Sequence, residues 1–152
     1  MKNNNLLLWF LLFGLQLTAQ NTTNDFNVDT NSLAVAGYDV VSYFNDQKAV
    51  KGSPAYTAQV AGITYWFANE KHQQDFLKNS SYYQPQYGGW CAYAVGKTGE
   101  KVEVDPKTFK IINNKLYLFY NKYLTNTLKL WNKEEATLLP QADKNWKKII
   151  QK

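Results

Sequence analysis

The sequence predicts an α+β fold in a small single domain, with two β-hairpins, a short helix after the first hairpin and helices at the C-terminus. Three observations lead to this class. Apolar and polar residues alternate in two pairs of short stretches, and each pair is joined by two turn-forming residues. An asparagine opens a short helical segment after the first pair. The C-terminal third repeats apolar residues at helical spacing.

The two predicted hairpins rest on alternation and on turn chemistry. Ala61-Gly62 suits a tight turn, and Asn113-Asn114 tolerates the positive φ of a type I′ turn. The strand segments that these turns join are Tyr56–Val60 with Ile63–Phe67, and Phe109–Ile112 with Lys115–Tyr120.

The predicted helices lie after each hairpin. Asn69 is placed as the N-cap of a helix over Glu70–Asn79, in which His72 and Phe76 are four residues apart and share a face. At the C-terminus, two helical pieces separated by Pro140 are predicted, over Tyr123–Trp131 and Asp143–Ile150.

Three further segments have weaker patterns. Val40–Phe44 is too short for periodicity to distinguish a strand from a helical turn. Ser80–Gly89 is predicted as a tyrosine-rich loop, in which Gly88-Gly89 permits a sharp turn or a close backbone approach. Trp90–Val95 is predicted as a short apolar strand or a buried segment.

Composition excludes several classes of protein. The chain has 152 residues, 45% of them hydrophobic and 19% charged, which suits a domain with a core rather than a disordered chain. One cysteine excludes an internal disulfide, a zinc ribbon, a four-cysteine iron–sulfur site and a CxxC redox pair. All 17 basic residues are lysine, and the absence of arginine argues against dedicated nucleic-acid readout.

The N-terminus has the pattern of a secretory signal. Residues 1–20 combine Lys2, an apolar run over Leu6–Phe13 and a small residue at Ala19. The run is shorter than the roughly 20 apolar residues that a membrane span needs. We therefore expect a signal peptide at 1–20, a flexible leader at 21–32 and a domain at 33–152, exported to the periplasm or secreted, soluble and without a transmembrane segment after cleavage.

His72 and Cys91 are the residues best suited to chemistry. They are the only histidine and the only cysteine, nineteen residues apart on either side of the tyrosine-rich loop. A thiolate with an imidazole suits Cu(I) or Zn(II). Alternatively, His72 would activate Cys91 as a nucleophile or redox centre. A third interpretation makes both residues structural, with Cys91 a small buried hydrophobe.

Acidic and aromatic side chains supply secondary candidates. Asp39, in a turn, and Asp105, before a proline, are candidate carboxylate ligands, although Asp-Pro more often initiates a plain turn. Tyr82, Tyr83 and Tyr87 are candidates for lining a pocket, although most such clusters belong to aromatic cores. Among all of these, Asp39 and Tyr87 are taken as the candidate cofactor-binding residues.

Five stretches of the chain resemble the exported YHS-domain proteins and together span most of residues 33–152. They are GYDVVSYF (Gly37–Phe44), GITYWFANEKHQQDFLKN (Gly62–Asn79), YYQPQYGGWCAYAV (Tyr82–Val95), DPKTFKIINNKLYLFYN (Asp105–Asn121) and ADKNW (Ala142–Trp146).

The resemblance implies heavy-metal handling beside metal-transport or redox proteins. In the metal-binding versions of the family, cysteines stand at the positions of Ala68 and His72, so this chain lacks that thiolate set and has Cys91 instead. We expect a monomeric or dimeric, non-enzymatic YHS-domain protein that binds a transition metal through His72 and Cys91, with copper favoured over zinc. The alternatives are a thiol-dependent redox protein that uses Cys91 and His72, or a non-catalytic interaction module.

Overall fold

The first predicted hairpin is confirmed. In the computed structural model, which describes residues 22–151, β1 (Ser53–Val60) pairs antiparallel with β2 (Ile63–Phe67). Ala61 and Gly62 form the turn at φ 50° and 80°, and Val60 pairs with Ile63. Strand β1 begins at Ser53, before the predicted start at Tyr56. Its pairing register with β2 shifts between Ser53 and Thr57.

The second predicted hairpin is also confirmed. Strand β3 (Asp105–Ile112) pairs antiparallel with β4 (Lys115–Phe119), and both turn asparagines, Asn113 and Asn114, have positive φ. The strand begins earlier than predicted because Asp105 already pairs with Phe119 across a register shift.

A third hairpin was not predicted. Strands β5 (Asn121–Lys122) and β6 (Thr125–Asn126) are two residues long each and pair around Tyr123-Leu124. The prediction that a helix begins at Tyr123 is therefore wrong. Apolar residues at 123 and 124 match the helical period but occupy a turn.

Three short helices lie next to the first hairpin along the chain, α1 before it and α2 and α3 after it. Helix α2 (Glu70–Lys78) begins at the predicted cap, where the Asn69 side chain accepts a hydrogen bond from the His72 N–H, and His72 and Phe76 are both buried on one face. Helix α1 (Ser42–Asn45) decides the ambiguity of Val40–Phe44 in favour of a helical turn, and α3 (Ser80–Tyr83) opens the tyrosine-rich segment. Single 3₁₀ turns lie at Thr22–Asp25, Val35–Gly37 and Gln86–Gly89.

Two helices complete the fold, and both differ from prediction. Trp90–Val95 is not a strand, because α4 (Ala92–Lys97) begins after Cys91, although the segment is largely buried as expected. Helix α5 (Thr127–Ile149) runs through Pro140 without interruption, so the prediction of two separate pieces is wrong. Helix α4 packs on α5, where Gly96 approaches Leu138 and the Asn145 amide donates to the Val95 carbonyl oxygen at 2.8 Å.

Strand β4 lies between two hydrophobic clusters. Leu116 and Leu118 belong to a cluster built mainly from α1, α2 and the first hairpin. Tyr117 and Phe119, on the opposite face, belong to a cluster built from α4 and α5. Because successive side chains of a strand point to opposite faces, one buried strand serves both halves of the core.

Residues 22–32 of the predicted flexible leader contact the domain. The Asn27 N–H donates to the Gly88 carbonyl oxygen at 2.8 Å, and the Trp90 indole donates to the Asp25 carbonyl oxygen at 3.0 Å. The predicted signal peptide, residues 1–20, lies outside the described residues. Over residues 22–151, none of the helices combines the length and the apolar character that crossing a bilayer requires.

Candidate functional site

Asp39 is a fully buried carboxylate at the centre of the first half of the domain. Its Oδ1 accepts from the N–H groups of Val41 at 2.9 Å and Ser42 at 3.3 Å. Its Oδ2 accepts from the Ala68 N–H at 2.9 Å and lies 2.6 Å from His72 Nδ1. An ionised carboxylate has about four lone-pair sites, so these four contacts use its capacity. Asp39 thereby joins the start of α1 to the junction of β2 and α2.

The His72 ring is oriented by this carboxylate. The side chain is 7% exposed, and its backbone N–H is held by the Asn69 cap. On the other side of the ring, Nε2 lies 3.9 Å from Oδ2 of Asp46, a partly exposed carboxylate, which is beyond hydrogen-bond distance. An Asp–His contact of this kind fixes the ring orientation and the tautomer.

Cys91 is buried with a different set of partners. Its backbone N–H donates to the Val102 carbonyl oxygen at 2.9 Å, and its sulfur accepts from the Tyr120 N–H at 3.3 Å. The sulfur also lies 3.4 Å from the Thr127 hydroxyl, which in turn donates to the Tyr120 carbonyl oxygen at 2.9 Å. The thiol therefore joins the start of α4 to the end of β4 and the start of α5.

The structure does not bring Cys91 to the Asp39–His72 pair. The two sites share no hydrogen-bond partner, because the Cys91 sulfur contacts Tyr120 and Thr127 whereas the His72 ring contacts Asp39. Within residues 22–151 no group of three or more His, Cys, Asp or Glu side chains is arranged to hold a metal ion. These residues also leave no buried side-chain nitrogen or oxygen without a partner. The described residues thus do not fit a closed His–Cys copper centre, and copper binding stays a prediction.

Tyr87 lines a cleft, and its hydroxyl bonds to Asp143, an exposed residue that lines the same cleft. The Tyr87 O–H donates to Oδ1 of Asp143 at 2.9 Å, and the residue as a whole is 4% exposed. Burial, followed by the hydrogen bond to Asp143, raises the pKa of Tyr87 far above its usual range. The cleft, of about 460 Å³, is also lined by Trp146 and Lys147.

The backbone at Tyr87 and Gly88 has positive φ, 54° and 60°. A Cβ on Gly88 would lie 2.2 Å from the Asp25 carbonyl oxygen, so the predicted close backbone approach in this loop is confirmed. The loop therefore fastens residues 25–27 to the domain beside the cleft.

Asp105 has a structural role, whereas Tyr82, one of the tyrosines proposed to line a pocket, lines two clefts. The Asp105 carboxylate accepts from the Lys107 N–H at 3.0 Å and the Thr108 hydroxyl at 3.0 Å, which is the turn role that Asp-Pro predicts. Tyr82 and Tyr83 pack against each other and against Phe44, with ring centroids 5.0–5.4 Å apart.

Two partners of the candidate residues and one neighbour of His72 were not predicted from the sequence. Asp143, which holds Tyr87, lies 56 residues away in the chain, and Thr127, which contacts Cys91, lies 36 away. Asp46, near His72, stands in a polar turn with no distinguishing spacing. No motif marks any of the three.

Comparison with family models, with curated proteins and with solved structures found no match.

Proposed function

We propose that this chain is an exported, non-catalytic interaction module in which His72 and Cys91 are structural residues. The observation that supports this most directly is that the two side chains have separate partners, Asp39 for Nδ1 of His72 and Tyr120 with Thr127 for the Cys91 sulfur. A surface, rather than a reactive centre, then makes the functional contacts.

The surroundings of His72 support a structural role. A buried Asp–His contact that also receives three backbone N–H groups joins two segments of the domain. Breaking such a pair leaves an uncompensated buried group, which is costly to the folded state. The pair thus has a sufficient physical explanation in the fold alone.

The surroundings of Cys91 support the same conclusion. The sulfur has no exposed surface and is held between a backbone N–H and a hydroxyl group. Reactive cysteines are accessible and lie in electropositive surroundings, whereas buried structural cysteines are inert. The thiol-dependent redox alternative is therefore less favoured.

Metal binding remains the competing proposal. Copper or zinc at His72 would use Nε2, because Nδ1 faces Asp39, and a metal-bound histidine commonly donates its other ring N–H to a carboxylate. The Cys91 thiol would have to leave its buried partners to reach the same ion. Metal-transport or redox proteins as partners belong to this proposal as well.

Copper titration of the mature chain separates the two proposals. Wild type is compared with Cys91→Ser and His72→Gln, each first shown to be folded by circular dichroism and cooperative unfolding in urea. The interaction module predicts the same copper binding in all three. One equivalent bound by wild type and lost in both variants would contradict the proposal and support the metal site.

A further inference from the structure

The tip of the third hairpin is the most exposed apolar feature of residues 22–151. Tyr123 is 90% exposed and Leu124 109%, whereas no other large hydrophobic side chain in this part of the chain exceeds 52%. We call this pair the Tyr-Leu tip. Single exposed apolar residues are common, but two adjacent ones at the end of a hairpin form a small apolar projection.

The turn itself does not favour these residues. Tyr123 and Leu124 have φ of 50° and 66°, a backbone region that bulky side chains rarely adopt. The other two hairpins of the same chain make the corresponding turns with smaller or more permissive residues, Ala61-Gly62 and Asn113-Asn114. The Tyr-Leu tip therefore costs the fold stability without packing against it, which points to a role outside the domain.

The base of the hairpin is held firmly. Thr127 donates both its N–H, at 3.0 Å, and its hydroxyl, at 2.9 Å, to the Tyr120 carbonyl oxygen. The Asn121 amide donates to the Thr108 hydroxyl at 3.0 Å, and the Asn126 side chain caps α5. The tip is thus presented by an ordered support rather than by a long loop.

The chain on either side of the tip is rich in lysine. Between Asp105 and Glu134 the chain contains no acidic residue and six lysines: Lys107, Lys110, Lys115, Lys122, Lys129 and Lys133. Lys122 is next to the tip, and Lys129 lies in the first turn of α5, where the helix dipole disfavours a cation. Neither of these two exposed lysines forms an ion pair with any residue in 22–151.

We infer that the Tyr-Leu tip inserts into the interface of an anionic lipid membrane while Lys122 and Lys129 contact the headgroups. This rests on the proposed interaction function and names its partner. Tyrosine prefers the boundary between water and acyl chains, leucine partitions below it, and lysine is attracted to anionic headgroups. A convex projection of two residues suits a deformable lipid surface better than a protein interface, which needs a larger buried area. One short projection gives weak and reversible binding.

Sedimentation with lipid vesicles tests this inference. The full mature chain is mixed with vesicles of phosphatidylcholine alone and of phosphatidylcholine with phosphatidylglycerol. Wild type should bind the anionic vesicles, more weakly as salt rises, and bind the zwitterionic ones at least about tenfold less. The double variant Tyr123→Asn with Leu124→Gly introduces a favoured type I′ turn, so it should fold at least as well and bind the anionic vesicles about tenfold less.

Two matched controls separate the tip from general surface effects. Leu77→Ser removes another exposed leucine and Lys144→Gln another exposed lysine, and both variants should bind the anionic vesicles like wild type. Lys122→Gln, which removes the lysine next to the tip, should bind them less. Equal binding by wild type and the tip variant would overturn the inference, as would no binding of wild type to anionic vesicles. If the tip were required for binding to a protein and the chain did not bind vesicles, the assignment of a lipid partner would be wrong. The copper titration above does not involve the tip. A result there that contradicts the interaction module can therefore be told apart from a failure of vesicle binding.

Discussion

Asp39 links the start of α1 to the junction of β2 and α2 through one buried carboxylate. We predict that Asp39→Ala lowers the free energy of unfolding by about 3 kcal/mol or more, because the backbone N–H groups of Val41, Ser42 and Ala68 and the His72 ring lose their acceptor together. Urea denaturation followed by tryptophan fluorescence measures the change.

Asp75→Ala is the control for Asp39→Ala. Asp75 pairs with Lys71 on the exposed face of α2, and surface pairs of this kind contribute little. The urea midpoint of Asp75→Ala should stay close to that of wild type. If the two variants lose equal stability, the structural role assigned to Asp39 is wrong.

The sequence identifies residues of chemical interest better than it identifies their partners. The N-cap at Asn69, the shared face of His72 and Phe76 and the close approach at Gly88 follow from local rules and are confirmed. The contacts of His72 with Asp39, 33 residues away, and of Cys91 with Thr127 depend on how the hairpins pack. Spacing along the chain does not contain that information.

Helix α5 continues through Pro140, an exposed position well inside the helix. Proline removes one backbone hydrogen bond and crowds the preceding turn, although it also restricts the unfolded chain. We predict that Pro140→Ala raises the free energy of unfolding by about 1–3 kcal/mol, measured by urea denaturation. A loss of stability would mean that the proline ring makes a contact that its exposure does not suggest.

Elements were predictable where two local signals agreed. The first two hairpins have alternating strands and permissive turn residues, and both are present. The third hairpin has strands too short to show a period and a turn made of bulky residues, so neither signal exists. Helix α4 was missed because WCAYAV is apolar on every side and therefore shows no period.

The third hairpin also leads to a prediction about stability, which does not depend on whether the Tyr-Leu tip binds lipid. Replacing Tyr123-Leu124 by Asn-Gly relieves two bulky residues at positive φ, so the melting temperature should rise or stay unchanged. Differential scanning calorimetry measures it. A clear fall in melting temperature would show that the tip residues pack against the domain, contrary to their exposure.

Buried tyrosines lie in both halves of the core. Burial raises the pKa of Tyr65 to about 12, against a smaller opposing effect of the Gln84 hydrogen bond, and burial also raises the pKa of Tyr117 to about 12. An unfolded tyrosine has a pKa of about 10. The folded state therefore keeps these tyrosines protonated to higher pH than the unfolded state does. Their contribution to the free energy of unfolding is complete below about pH 10 and is lost as the pH rises toward 12.

Alkaline unfolding checks this prediction. The free energy of unfolding should fall steeply between about pH 10 and 12, and phenolate absorbance should show a group of tyrosines that ionise only with unfolding. Tyr65→Phe should reduce the steepness, because it removes one of the groups responsible. Ionisation of every tyrosine near pH 10 in the folded protein would contradict the assignment.

The central claim concerns the whole domain: β4 serves two separate clusters, and Cys91 is buried beside the end of β4, with hydrogen-bond partners that it does not share with the Asp39–His72 pair. The most direct measurement is the rate at which iodoacetamide alkylates Cys91 in the folded mature chain and in urea. A buried structural thiol should react orders of magnitude more slowly when folded, and its rate should rise in parallel with unfolding. Alkylation of the folded chain as fast as, or faster than, the unfolded chain would show an accessible, activated thiol and contradict the account.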